Sequence, residues 1–214
     1  MAGQRKYSHI ARTYDILDLP FEYLRYRPLR PTIWSGLDEC CRILDAGIGT
    51  GRNMDYYPAG VEMVGLDLSP AMLARAAVRR RKTGTAVHLV EGNIIATPFA
   101  DDTFDAVVST FLFCVLPPDL QLPALRELAR ICKPEGEIRI LEYAISANPI
   151  RRAVMKLWAP WIRFAYGAAF DRETEQYLAT TGLQLVARRF LHADIIKLLV
   201  ARQPLVPAPS DSDL

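Results

Sequence analysis

Gly47, Gly49 and Gly51 stand at alternate positions in LDAGIGTGRN, residues 44–53, where an apolar run gives way to Arg52 and Asn53. Glycines so spaced let backbone approach a ligand closely, because they adopt conformations that a Cβ forbids. Asp45 precedes the loop, and Asp67 follows sixteen residues beyond Gly51, where a carboxylate can accept hydrogen bonds from both hydroxyls of a ribose. Farther on, Asn93 can meet an adenine amino group with its amide, and Ile94 offers the ring an apolar wall. A dinucleotide fingerprint, G-x-G-x-x-G, would need a glycine at position 52, where Arg52 stands. The constellation therefore suits a nucleoside held by backbone and ribose contacts, with a dinucleotide as the competing ligand. Each residue also has a plain structural role: the glycines as a strand-to-helix turn, Asp67 as a helix cap before LSP, Asn93 as a turn residue.

The elements that must position these groups are short apolar runs alternating with helical patterns. CRILDAG, VEMVGLDL, AVHLVEG, FDAVVST and GEIRILEY read as five strands. Their Val, Ile and Leu content, with little alternation, is that of parallel strands buried on both faces. Ser69 and Pro70 open a helix through Met72, Leu73 and Ala76. Leu122, Leu125, Leu128, Ala129 and Cys132 mark another, which KPEG closes, and DRETEQYLATTG reads as a third. LQLVARRF and ADIIKLLVAR are two final strands joined tightly enough to pair antiparallel. The expected fold is α/β: a doubly wound, Rossmann-like, mostly parallel seven-stranded sheet with a C-terminal antiparallel hairpin. Ligands of such sheets bind at the carboxyl ends of the strands, where the strand order reverses.

The 214 residues suffice for one domain with a full core, and the net charge of +2 gives no general reason to expect nucleic acid. The basic excess is local. Residues 1–36 carry six Lys/Arg against three acids, and residues 149–166 carry four Lys/Arg and no acid. Both segments are rich in aromatics. Cys40, Cys41, Cys114 and Cys132 form no CxxC pair, and three histidines are too few to complete a zinc site, so the reading is no metal and free thiols in a reducing cytosol. No apolar run is long enough to span a bilayer, and the N-terminus lacks a signal-type apolar region. A cytoplasmic protein is expected.

The ordered set ILDAGIGTG, VGLDLSPAMLARA, EGNIIATPFADDTFDAVVS and LRELARICKPEGEIRI resembles the class I S-adenosylmethionine-dependent methyltransferases, over roughly residues 7–145. Within them the chain looks most like the branch of ubiquinone/menaquinone-type, phosphatidylethanolamine N-methyltransferase-like and thiol-methylating enzymes. The resemblance implies S-adenosyl-L-methionine as cofactor, with Asp45, Gly47 and Gly49 at its methionine part, Asp67 at the ribose and Asn93 at the adenine. Gly51, Leu68, Ile94 and Thr110 complete the implied cofactor set. Asn93 stands where the family usually has an acid; an amide oxygen still accepts from the adenine amino group.

Methyl transfer needs an acceptor held in line and water excluded, not a metal or a covalent nucleophile. Tyr14, in the segment ARTYD that covers the cofactor in the family, and Tyr7 can place aromatic faces near the sulfonium. Glu142, at the end of the fifth strand and facing the site in this topology, is the candidate proton acceptor, with His9 and His192 as weaker ones. Residues 1–36 are expected to cap the site, 37–202 to form the methyltransferase domain with a helical lid at 149–181, and 203–214 to be disordered. In the lid, Arg152, Lys156 and Arg163 share one helical face, Val154, Leu157, Trp158 and Trp161 another, and Pro160 should kink or divide the helix. The expected acceptor is small and lipophilic or amphipathic, a phospholipid amine first and a quinone ring or thiol next. Peripheral contact with an anionic membrane surface is the expected partner interaction. A binding protein without catalysis is the alternative class; nucleic-acid methylation is not expected, since STFLFCVLPP follows the fourth strand where an Asn/Asp-Pro-Pro-Tyr motif would stand.

Overall fold

The computed structural model describes residues 26–204, apart from the side chains of residues 165 and 166. Seven strands form one sheet: β1 (Arg42–Ala46), β2 (Glu62–Asp67), β3 (His88–Glu91), β4 (Phe104–Thr110), β5 (Cys132–Tyr143), β6 (Gln184–His192) and β7 (Ile196–Arg202). Their order is β3-β2-β1-β4-β5-β7-β6. β1 to β5 run parallel, whereas β7 is antiparallel to both β5 and β6. The expected doubly wound sheet and its C-terminal hairpin are both present. Strand order reverses between β1 and β4, so the loops leaving those two strands diverge and open a crevice at their carboxyl ends.

Among the described residues, four helices flank the sheet: α1 (Arg30–Trp34), α2 (Pro70–Thr83), α3 (Pro118–Ile131) and α4 (Pro149–Tyr166). Ser69 caps α2 by accepting the Met72 N–H, and Gly84, at φ 69°, ends it in the left-handed conformation. On one face of the sheet Leu125, Leu128 and Ile131 of α3 close over Val107, Ile138 and Leu199. On the other, Ile33 and Trp34 of α1 cover Ile43, Val108 and Leu141.

Three expectations change in the structure. α3 ends at Ile131, just before KPEG as expected, but β5 begins at once with Cys132, so KPEG lies inside the strand as a bulge, opposite the shift in register between Phe104 and Ala106. A bulge tolerates Pro134, and Gly136 is required there because a Cβ would lie 2.6 Å from the Asp105 carbonyl oxygen. DRETEQYLATTG forms two 3₁₀ turns, Thr174–Tyr177 and Ala179–Thr181, instead of a helix. Leu178 and Leu183 are drawn into the core, and the Thr174 hydroxyl donates to Gln121 Oε1 at 3.1 Å, so tertiary contacts override local propensity. α4 runs continuously from Pro149 to Tyr166, so Pro160 does not divide it.

Candidate functional site

The loop after β1 is fixed by backbone hydrogen bonds that its glycines permit. Gly47 and Ile48 donate their N–H groups to the Leu66 carbonyl, at 2.8 and 3.0 Å. Gly49, at φ 57°, donates to Asp67 Oδ2 at 2.9 Å, and Ser69 N–H donates to Asp67 Oδ1 at the same distance. Burial raises the Asp67 carboxyl above its usual range, while these backbone donors pull it back. Asp67 thus ties the end of β2 to the glycine loop and still lines the cavity above it.

Asp45 occupies a different position from the one expected. It is fully buried and does not line the cavity. It accepts Asn53 Nδ2 at 3.2 and 3.0 Å on its two oxygens and the Tyr57 hydroxyl at 2.6 Å. Burial pushes its carboxyl up to about 6 against those bonds. Asn53 Nδ2 also reaches Thr110 Oγ1 at 3.1 Å, and the Arg30 guanidinium from α1 donates to Asn53 Oδ1. Arg30, Arg52, Asn53 and Thr110 line the cavity, so Asp45 acts on it through the groups it orients. Gly51 likewise lies off the lining, packed against Met54.

The cavity has a volume of about 830 Å³, which is within the range of small-molecule sites and leaves room for two ligands. Gly47, Gly49, Asp67, Leu68, Asn93 and Ile94 all line it. Asn93 Oδ1 accepts the Ile95 N–H at 3.2 Å, and its amide retains further donor and acceptor capacity. The lining also holds an aromatic quartet that sequence reasoning missed: Tyr26, Phe111, Tyr143 and Phe170. Ring centroids are 5.0 Å apart for Tyr26–Phe111, 4.9 Å for Phe111–Tyr143 and 5.2 Å for Tyr143–Phe170. Phe111 holds φ at 54°, an uncommon conformation for a bulky residue, with its N–H given to the Leu141 carbonyl at 2.9 Å. Val154, Trp158 and Ile162 of α4 form the adjoining wall.

Glu142 does not face this space. It is fully buried and absent from the lining, one side chain behind Cys114, which does line the cavity. Neither Glu142 oxygen has a hydrogen-bond partner among the described residues. The Cys114 thiol donates instead to the Phe111 carbonyl at 3.2 Å, and Lys197, opposite Glu142 in register, pairs with Glu175. Burial pushes the Glu142 carboxyl up to about 8, so it is mostly protonated at neutral pH. His192, at the end of β6, does not line the cavity either. His9, Tyr7 and Tyr14 lie outside the described residues, as do most of the 1–36 cap and residues 205–214 of the tail.

These residues fit S-adenosylmethionine better than a phosphorylated cofactor. The Gly49 N–H that would have bound a phosphate is already given to Asp67, and an anion on that loop would face the one carboxylate in the lining. Asp67 would hold the ribose, Asn93 and Ile94 the adenine. Arg30, a cation in the lining, would take the methionine carboxylate.

A family profile described as "Methyltransferase domain" matches residues 43–136. The chain is 32% identical over 139 residues to a phosphatidylethanolamine N-methyltransferase of Cereibacter sphaeroides, covering 63% of this chain and 68% of that one. It is 35% identical over 144 residues to a demethylmenaquinone methyltransferase of Thermus thermophilus, covering 64% of each. An uncharacterized protein of Mycobacterium tuberculosis is 34% identical over 119 residues, and the match covers 54% of this chain but only 43% of that longer one. Among solved structures, an O-methyltransferase family protein from Burkholderia thailandensis superposes with a TM-score of 0.73 at 14% identity, over 90% of this chain and 59% of that one, a likeness of fold.

Proposed function

The chain belongs to the class I S-adenosylmethionine-dependent methyltransferases, and from that premise we propose that it methylates a small amphipathic acceptor, a phospholipid amine headgroup first among them. The aromatic quartet carries this reading. Four rings converge in the wall of the cavity, and aromatic faces attract an ammonium or its methylated products. The cofactor supplies a methyl group on a sulfonium, an electrophile already activated. The protein's part is to orient the acceptor and exclude water: the quartet fixes the headgroup, α4 closes the wall as a lid, and Asp67 with the glycine loop holds the cofactor.

Glu142 enters this scheme as a buried neutral group behind the wall, since Cys114 separates it from the cavity. A neutral amine needs no base within the site before transfer; its proton leaves to water with the product. The similar phosphatidylethanolamine N-methyltransferase supports the amine reading, and the similar demethylmenaquinone methyltransferase supports a second, a quinol ring stacked on the same quartet. Either acceptor resides in a membrane, so we place the protein peripherally on the cytoplasmic face of one. No helix among the described residues is long and apolar enough to cross a membrane.

The deciding experiment offers radiolabelled S-adenosylmethionine with amine lipids, quinols and thiols side by side. Label on the amine lipid alone supports the first reading, and label on the quinol alone replaces it with the second. Label on none, with cofactor binding intact, overturns both.

A further inference from the structure

No described side chain of α4 is buried, although two thirds of its residues are hydrophobic. Ile150, Leu157 and Phe164 are 75%, 78% and 80% exposed. Seven-residue spacing aligns them in a single stripe along the helix. An amphipathic helix of a globular protein ordinarily turns such a stripe to the core; this one turns it outward. Arg152, Lys156 and Arg163 share another face, roughly a third of a turn around the helix from the stripe, and the helix contains no acid. Arg152 bonds the carbonyl oxygens of Ser146 and Ala147, and none of the three cations has an ion-pair partner among the described residues.

The stripe continues into the site. Val154 and Trp158 are about half exposed, and both also line the cavity. Apolar surface therefore runs from the outer face of α4, over its rim, to the aromatic quartet. A protein partner would have to combine an apolar groove with acidic side chains to match both features. An anionic bilayer satisfies both, with acyl chains at the stripe and headgroups at the cations.

We infer that α4 docks the protein on an anionic bilayer, with Ile150, Leu157 and Phe164 in the acyl boundary and Arg152, Lys156 and Arg163 among the headgroups. The acceptor then passes from the bilayer across Val154 and Trp158 into the cavity. This route rests on the membrane-borne acceptor proposed above; the docking itself does not.

Flotation of the full chain with phosphatidylcholine vesicles, with and without phosphatidylglycerol, tests the docking. The wild type floats with the anionic vesicles at low salt and stays down with phosphatidylcholine alone. Leu157→Glu with Phe164→Glu lowers its partition by about tenfold or more, and Lys156→Glu lowers it less. These residues lie off the cavity lining, so unchanged circular dichroism and cofactor binding establish that the variants are folded. A wild type that stays in solution throughout, or a double variant that floats equally well, overturns the docking. So does a lipid-free dimer that Leu157→Glu dissociates, which would assign the stripe to a second copy. Methyl transfer to a detergent-dispersed amine lipid separates the two claims. Transfer without flotation removes the docking alone, and flotation without transfer removes the acceptor alone.

Discussion

The hydroxyls of Tyr26 and Tyr143 meet at 2.6 Å across 117 residues of sequence, joining the segment before α1 to the end of β5 at the rim of the cavity. Their rings complete the quartet with Phe111 and Phe170. Replacing Tyr143 by Phe keeps the rings and removes the hydroxyl pair. Its expected effect is a modest rise in KM for the acceptor, about threefold to tenfold, for the loss of one neutral hydrogen bond of about 1 kcal/mol. Tyr143→Ala should cost far more, because the box opens. Calorimetry with the cofactor should be unchanged in both variants; weakened cofactor binding would assign the quartet to the cofactor instead of the acceptor.

Asp67 carries two loads, and its replacement should show both. Asp67→Ala orphans the Gly49 and Ser69 N–H groups and removes the acceptor for a ribose. Charge-assisted hydrogen bonds contribute about 1.5–3 kcal/mol each, so affinity for S-adenosylmethionine should fall roughly tenfold to hundredfold. Calorimetry measures the first effect and thermal melting the accompanying loss of stability. A variant that binds as tightly as the wild type would remove the ribose role and leave Asp67 a loop tie alone.

The contrast between these two sites reflects what a sequence displays. Asp67 and the glycine loop lie close together in the chain, and uninterrupted Val, Ile and Leu runs mark the strands that carry them. The quartet is assembled from positions 26, 111, 143 and 170, which only the strand order brings together. Glu142 was misdirected for a related reason. A strand buried on both faces hides its parity, because no polar alternation tells which residues point to which side. Arg30 and Asn53 stood in stretches already marked as basic-aromatic or glycine-rich, yet nothing local pairs residues twenty-three positions apart.

Asn53 links three groups that burial would otherwise leave in conflict. Its Nδ2 serves both Asp45 oxygens and Thr110, while its Oδ1 takes Arg30. Asn53→Ala should destabilise the fold by about 1–3 kcal/mol, the penalty for leaving buried polar groups unsatisfied. Asp45 would lose a donor and become harder to ionise, so the deficit should widen as pH rises through 6. Chemical denaturation at pH 5 and pH 7.5 checks it; an equal deficit at both values would exclude the coupling to Asp45.

Glu142 makes the wild type less stable in alkali. Its carboxyl titrates at about 8 in the folded protein, against about 4.3 for an unfolded glutamate. Below the lower value both states hold the proton, and the group gives its full relative stability. As pH rises between the two values, the unfolded chain releases a proton that the folded protein keeps, so stability falls until pH passes 8. The total change from this group is on the order of several kcal/mol. Asp45 adds its own slope only up to about 6, so comparison between pH 6.5 and 8.5 isolates Glu142. Glu142→Gln keeps the shape and removes the titration. Its melting temperature relative to the wild type should climb across that interval. Parallel melting curves for the two would mean that Glu142 finds a partner, and that its burial carries no such penalty.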